Sequence, residues 1–266
     1  MTSPRSAAEY LAEIQSELGT VPLLSEGHSC RRCLGPTHLG YRYCTSCHAV
    51  YGQAPDSLRG CCVPMTTALD PSPWYGRLWK YKQTTTTDWI RLAALVSVYY
   101  RAQADRLEGL LGGSPTGITI VPSKRGFTFE EQPLRRLLDR VASLRNGIEK
   151  LVEHTGMSVP RQKYLPEAFR VVGGVSGRRV LLIEDTWTTG STAVSTAGAL
   201  LAAGAESVVV LSLARKVNLD YWTDQHPFLT AMKQPWDPSV WPRDLEEGTA
   251  REPRLPTRSS LPAGSG

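Results

Sequence analysis

A chain of 266 residues, 41% hydrophobic and 21% charged, has enough apolar material for one sizeable core plus a small accessory module. No run approaches the roughly eighteen apolar residues that a membrane span needs, and residues 1–20 are amphipathic rather than a basic stretch leading into a greasy one, so a cytoplasmic protein with no membrane partner is expected. The formal net charge of +5 is scattered in ones and twos, which permits acidic ligands without implying nucleic acid.

In chain order, residues 7–18 read as a short helix with Leu11, Ile14, Gln15 and Leu18 on one face, stopped at Gly19. Over residues 28–51 the apolar periodicity disappears, and Cys30-x-x-Cys33 and Cys44-x-x-Cys47 supply four soft thiolates on two turns, the donor set of a tetrahedral structural Zn²⁺. All six cysteines fall in the first quarter of the chain, unlike a secreted disulfide framework, so a reducing compartment is expected. Redox CxxC chemistry is the rival reading, but a redox motif opens a helix in a thioredoxin-like unit and does not come as a matched pair. His28 and His48 lie close enough in sequence to replace one thiolate, while Cys61 and Cys62 have no partner pattern and read as buried or inert. A module with so few apolar residues needs a metal to fold, and its role is structural or the docking of a protein or nucleic-acid partner.

Residues 55–73 read as a loop rich in turn formers, and a second module begins near Trp74. Asp88 is placed to cap a helix running to about residue 110, with Leu92, Leu95, Val96 and Tyr99 at helical spacing. The β-branched run 118–121, closed by Pro122, reads as a buried strand. Leu134, Leu137, Leu138, Val141, Leu144, Ile148 and Leu151 then predict a second long helix over 131–153. Runs 169–172 and 179–183 read as strands about the turn 173–177; 191–203 has helical spacing with a stop at Gly204, and 207–213 is another apolar strand. Strands apolar on both faces, alternating with helices, predict an α/β fold with a parallel sheet flanked by helices. Beyond Trp222 the chain turns to Pro, Trp and charge, and after Arg243 a disordered tail is expected.

The chemistry concentrates in residues 180–192, VLLIEDTWTTGST. A strand stops at Glu184 and Asp185 and leads within a few residues into the turn Thr188-Thr189-Gly190-Ser191-Thr192 and a helix. Ligands of open parallel sheets bind at that end of the strands. Gly190 allows close backbone approach, and the free N–H groups and hydroxyls at the helix start can surround a phosphate. The two carboxylates are acceptors suited to the donor hydroxyls of a ribose, and they also favour a divalent cation. Trp187 either packs over a bound sugar or belongs to the core.

This segment resembles, position by position, the signature of the type I phosphoribosyltransferases, whose ligand is 5-phosphoribosyl 1-diphosphate (PRPP). The resemblance implies that Glu184 and Asp185 hold the ribose hydroxyls and that Thr188, Thr189, Gly190, Ser191 and Thr192 hold the 5′-phosphate, with Mg²⁺ as the accompanying cation. It also implies a pyrophosphate-binding loop after the first core strand, where Ser123-Lys124-Arg125-Gly126 follows residues 118–122; Lys124 and Arg125 are suitable counter-charges, although a solvated basic turn is the plainer reading of those four residues alone.

More narrowly, the paired CxxC knuckles, Val121-Pro122 with Lys124-Arg125-Gly126-Phe127, Gln162 ahead of Ala168-Phe169, and Ala203-Gly204-Ala205 resemble the ComF-like, amidophosphoribosyltransferase-like branch linked to bacterial DNA uptake. The chain departs from that branch over 159–169, where an additional Arg and Asn are usual. The resemblance covers about Cys30 to Arg215, and with the composition on either side the chain is expected to divide into an N-terminal helix and linker (1–27), a zinc-ribbon-like module and linker (28–73), a phosphoribosyltransferase-like domain (74–221) and an extension with a tail (222–266). Its implied activity is transfer of a phosphoribosyl group from PRPP to a nitrogen acceptor with release of pyrophosphate, Lys124, Arg125 and Asp185 acting on the reacting groups. The alternative is a non-catalytic PRPP- or nucleotide-binding regulatory or competence accessory protein.

Overall fold

The computed structural model describes residues 5–55, 58, 62–83, 87–124 and 126–244. Its elements in chain order are helices α1 (Ala7–Ala12) and α2 (Thr45–Tyr51), strands β1 (Cys62–Pro64) and β2 (Thr67–Asp70), helices α3 (Pro73–Lys80) and α4 (Thr87–Leu111), strand β3 (Gly117–Ile120), helix α5 (Pro133–Leu138), strands β4 (Val152–His154), β5 (Phe169–Val171) and β6 (Arg179–Trp187), helix α6 (Ser191–Ala202), strand β7 (Ser207–Asn218) and helix α7 (Pro227–Ala231).

The central sheet runs β1-β7-β6-β3, with β2 pairing further along β7, and every pairing in it is parallel. Strands β6 and β7 are apolar on both faces because both faces are covered. Leu181, Ile183, Val209, Leu211 and Leu213 join the core beneath α4, and the alternate residues Val180, Leu182, Val208 and Val210 join the core beneath α6. The helices take the faces that their sequences offer. Helix α4 turns Leu92, Leu95, Val96 and Tyr99 inward, and α6 is buried along most of its length by small residues. At the N-terminus, Ser6 and Glu9 form a reciprocal capping box on α1, whose Leu11 packs with Ile14 and Leu18 against α4.

Three expected elements take another form. The turn-rich stretch before Trp74 contains β1 and β2, so the sheet begins inside the expected linker; proline is tolerated there because these are edge strands, where one side of the backbone needs no partner. The helix expected over 131–153 ends at Leu138. After it Val141, Leu144 and Gly147 donate to the carbonyls three residues back, and a repeat of three keeps Leu138, Val141 and Leu144 buried on one side without an α-helix. Ile148 then bridges to Ile118 at the sheet's edge. The strand expected near Phe169 is real but stands outside the main sheet, paired antiparallel with β4.

Residues 222–244 cover the core. Trp236 and Trp241 are buried in the α4-side cluster, and the Trp236 indole donates to the Met65 carbonyl at 2.8 Å. Arg243 is fully buried and donates to the Arg31 carbonyl in the cysteine module. The expected tail beyond it lies outside the described residues. Among the described residues no helix is long and apolar enough to cross a membrane.

Candidate functional site

Strand β3 ends with Ile120 opposite Ile183, and the Val121 N–H extends the ladder to the Ile183 carbonyl at 2.9 Å, while β6 runs on beside β7 to Trp187, so that Glu184 and Asp185 lie within the strand and not, as expected, past its end. This register brings the segment starting at Pro122 alongside Glu184 and Asp185. Between the two segments lies a cavity of about 370 Å³, within the range of small-molecule sites. Its wall includes Ser123 and Lys124 from the β3 side, and Glu184, Asp185, Thr188, Thr189, Gly190, Ser191 and Thr192 from the β6 side. Thus every expected ligand-loop residue and Lys124 meet in one place. Arg125 lies outside the described residues.

The turn into α6 is built for close approach. Gly190 sits at the N-cap with φ +82, a left-handed conformation that side chains disfavour, and a Cβ there would lie 2.3 Å from the Trp187 ring. Trp187 is therefore the floor of the turn, 1% exposed and part of the α6-side core, and it also lines the cavity. No side chain caps α6. Thr189 Oγ1 instead pairs with Ser191 Oγ at 3.0 Å, so that hydroxyls and first-turn N–H groups are gathered at the positive end of the helix dipole.

The acid pair is electrostatically loaded. Burial and the neighbouring Asp185 carboxylate push the Glu184 carboxyl up to about 8. Asp185 is held on one oxygen by two donors: Tyr81 Oη donates to Oδ2 at 2.7 Å and Lys82 Nζ lies 2.7 Å from the same atom. Tyr81 and Lys82 follow α3 and carry no spacing signature, so sequence reading missed them; only the chain's return past β6 puts them there. Tyr75, Trp79 and Phe127 also line the cavity and were not foreseen as site residues. On the opposite wall, Lys124 Nζ donates to the Val159 carbonyl at 3.3 Å, and the Ser123 N–H is held by Gln132 Oε1 at 2.9 Å.

Beyond the Val159 carbonyl on Lys124, the stretch 159–168 turns to α6 and α2. The Leu165 N–H is bound by Ser195 Oγ on α6 at 2.9 Å, and Gln162 meets α2 through Ser46. None of residues 159–168 is among the described residues lining the cavity.

Away from the cavity, the Sγ atoms of Cys30, Cys33, Cys44 and Cys47 all lie within 4.8 Å of one another. The 3.7 Å separation of the Cys33 and Cys44 sulfurs matches the edge of a tetrahedron with metal–sulfur bonds of about 2.3 Å, so four thiolates in this spacing fit a tetrahedral metal. Neither His28 nor His48 joins the group. The turn Cys30–Gly35 is closed by the Cys30 N–H on the Gly35 carbonyl at 2.7 Å, and His48 N–H on the Cys44 carbonyl opens α2. Hydrogen bonds from the other three thiols, with the Arg215 charge, hold Cys33 well below the ordinary thiol range. Arg215, at the end of β7, is buried; its Nε donates to Cys33 Sγ at 3.3 Å and its Nη1 to the Trp187 carbonyl at 3.1 Å. Cys62 is buried in β1 and Cys61 lies outside the described residues. Comparison with models of known protein families and with curated proteins finds no match to this chain.

Proposed function

We propose that the cavity binds PRPP and that the protein is a phosphoribosyltransferase of the type I fold, ComF-like in its arrangement, with a structural Zn²⁺ on its four cysteines. One observation carries the reading: two adjacent carboxylates in the last part of β6 and a hydroxyl-rich helix start just after it face the same cavity as the loop after β3. A ribose bearing a 5′-phosphate needs acceptors for its hydroxyls and donors for its phosphate at about this separation along one strand-turn-helix, and few other ligands need both.

In the reaction, the bond from C1 of the ribose to the pyrophosphate oxygen breaks as a nitrogen lone pair attacks C1, and the sugar carries positive charge in between. The chain's part is positioning and charge. Residues 188–192 fix the phosphate, Glu184 and Asp185 orient the ribose through its hydroxyls, and Lys124 stands on the leaving-group side. Glu184 and Asp185 would be the residues to hold a Mg²⁺ ion, which would supply neutralisation of the diphosphate when bound.

The position of 159–168 against α6 and α2 favours a second reading, a PRPP- or nucleotide-responsive regulatory or competence protein that binds without transfer, because that stretch adds no described residue for an acceptor to the cavity. Pyrophosphate release measured with PRPP, Mg²⁺ and a panel of nucleobases and amines separates the two. Release with one acceptor establishes the transferase, whereas binding without release for all of them establishes the regulatory protein. Asp185→Asn with Thr189→Val is expected to abolish PRPP binding with the fold intact by circular dichroism; unchanged affinity in calorimetry would falsify the site itself.

A further inference from the structure

Tyr81 is clamped from three sides. Its ring is fully buried, its hydroxyl donates to Asp185, and its carbonyl accepts from the Trp89 indole at 2.8 Å. The backbone entering Lys82 is therefore fixed, while the Lys82 side chain remains 31% exposed at the cavity. An ammonium on a long stem from a fixed base is a head that can change partners.

Its present partner does not need it. Asp185 Oδ2 accepts from Tyr81 and meets Lys82 at the same 2.7 Å, so Tyr81 alone keeps the carboxylate oriented once the ammonium leaves. A partly exposed ion pair of this kind adds little to stability. Its charge matters more, because an anionic ligand is repelled by the Asp185 carboxylate and needs a cation of its own at the cavity. Among the described residues lining the cavity only Lys82 and Lys124 are basic, and Lys124 is already turned to the Val159 carbonyl.

We propose that Lys82 is a diphosphate-binding residue: its ammonium, paired with Asp185, moves to the phosphoryl oxygens at C1 when the ribose hydroxyls take that carboxylate. This rests on the PRPP reading above and extends it to a residue that no motif marks. The ligand's own hydroxyls release the cation that its diphosphate requires, so a ligand with both groups is bound more tightly than the two groups taken separately would give.

Calorimetry on the full chain with Mg²⁺, using PRPP and ribose 5-phosphate as separate ligands, tests it. Lys82→Met is expected to weaken PRPP by roughly 10- to 100-fold, the usual range for a charge-assisted hydrogen bond. Ribose 5-phosphate, which lacks the diphosphate, keeps its affinity within about threefold, and Lys82→Arg retains most of the PRPP affinity. Equal weakening of both ligands by Lys82→Met overturns the proposal in favour of a residue that merely positions Asp185, and unchanged PRPP affinity overturns it outright. Failure of the unmodified chain to bind either ligand removes the PRPP reading and this inference with it; binding of both without any Lys82 effect leaves that reading standing and sinks only this one.

Discussion

The sheet and the cysteine module are held together by different physics. In the sheet, β6 and β7 bury alternate residues on opposite faces, and two separate apolar cores meet there. In the module, the four cysteines, Val50 and Tyr51 share the α6-side core, and to that packing are added a cluster of four sulfurs suited to a metal, the Arg32 guanidinium stacked 4.1 Å over the Tyr51 ring, and the Arg243 side chain on the Arg31 carbonyl. A core built from area loses stability in proportion to the atoms removed. A site built from ligands loses it all at once.

The sharpest break in this comparison is metal removal. Cys47→Ser, or a strong chelator, is expected to abolish stoichiometric zinc, measured by metal analysis, and to expose the amides of residues 28–51 to hydrogen exchange while those of β6 and β7 stay protected. A metal-free chain with the same protection in both regions would refute the zinc assignment. Leu182→Ala is the counterpart in the sheet, with an expected loss of about 2–5 kcal/mol in denaturant unfolding and no change in metal content. Arg215→Met lies between the two regions. Removing a side chain that hydrogen-bonds a metal ligand typically costs about 10- to 100-fold in metal affinity, read here by competition with a chromophoric chelator, and the loss of a donor to the Trp187 carbonyl should lower ligand affinity as well.

A further expected effect is on pH dependence. The folded Glu184 carboxyl titrates near 8 against an ordinary 4.5, so the folded chain binds more protons than the unfolded one between those values. Stability should therefore fall as pH rises through that window, by at most about 1.4 kcal/mol per unit from this group, and stay level above it. Glu184→Gln should flatten that slope in unfolding titrations from pH 5 to 9; an identical slope in both proteins would show that the burial of Glu184 carries no such cost.

Much of this was legible in the sequence, and the reasons differ by region. The runs 118–121, 179–183 and 207–213 announce themselves because a strand covered on both faces has few polar positions, and the two CxxC pairs because a metal fixes ligand spacing. Residues 180–192 were readable because one short segment carries strand, acids, turn and helix start in covalent order. Tyr81 and Lys82 were not, since their place beside Asp185 exists only after α3 packs on the sheet. The apolar positions from Leu134 to Leu151 were all recognised as core, yet spacing alone could not tell an α-helix from successive tight turns that bury the same residues. The edge strands β1 and β2 hid behind Pro64 and Pro71, residues that mark loops in most settings.

Arg215 and Gly35 also set a rule for how the chain can vary. A Cβ on residue 35 would stand 2.4 Å from Arg215 Nε, the atom that faces Cys33. A larger residue at position 35 requires that guanidinium, which also donates to the Trp187 carbonyl, to shift. The first cysteine turn and the floor beneath Gly190 therefore lean on one arginine, and a side chain added at residue 35 is felt at both.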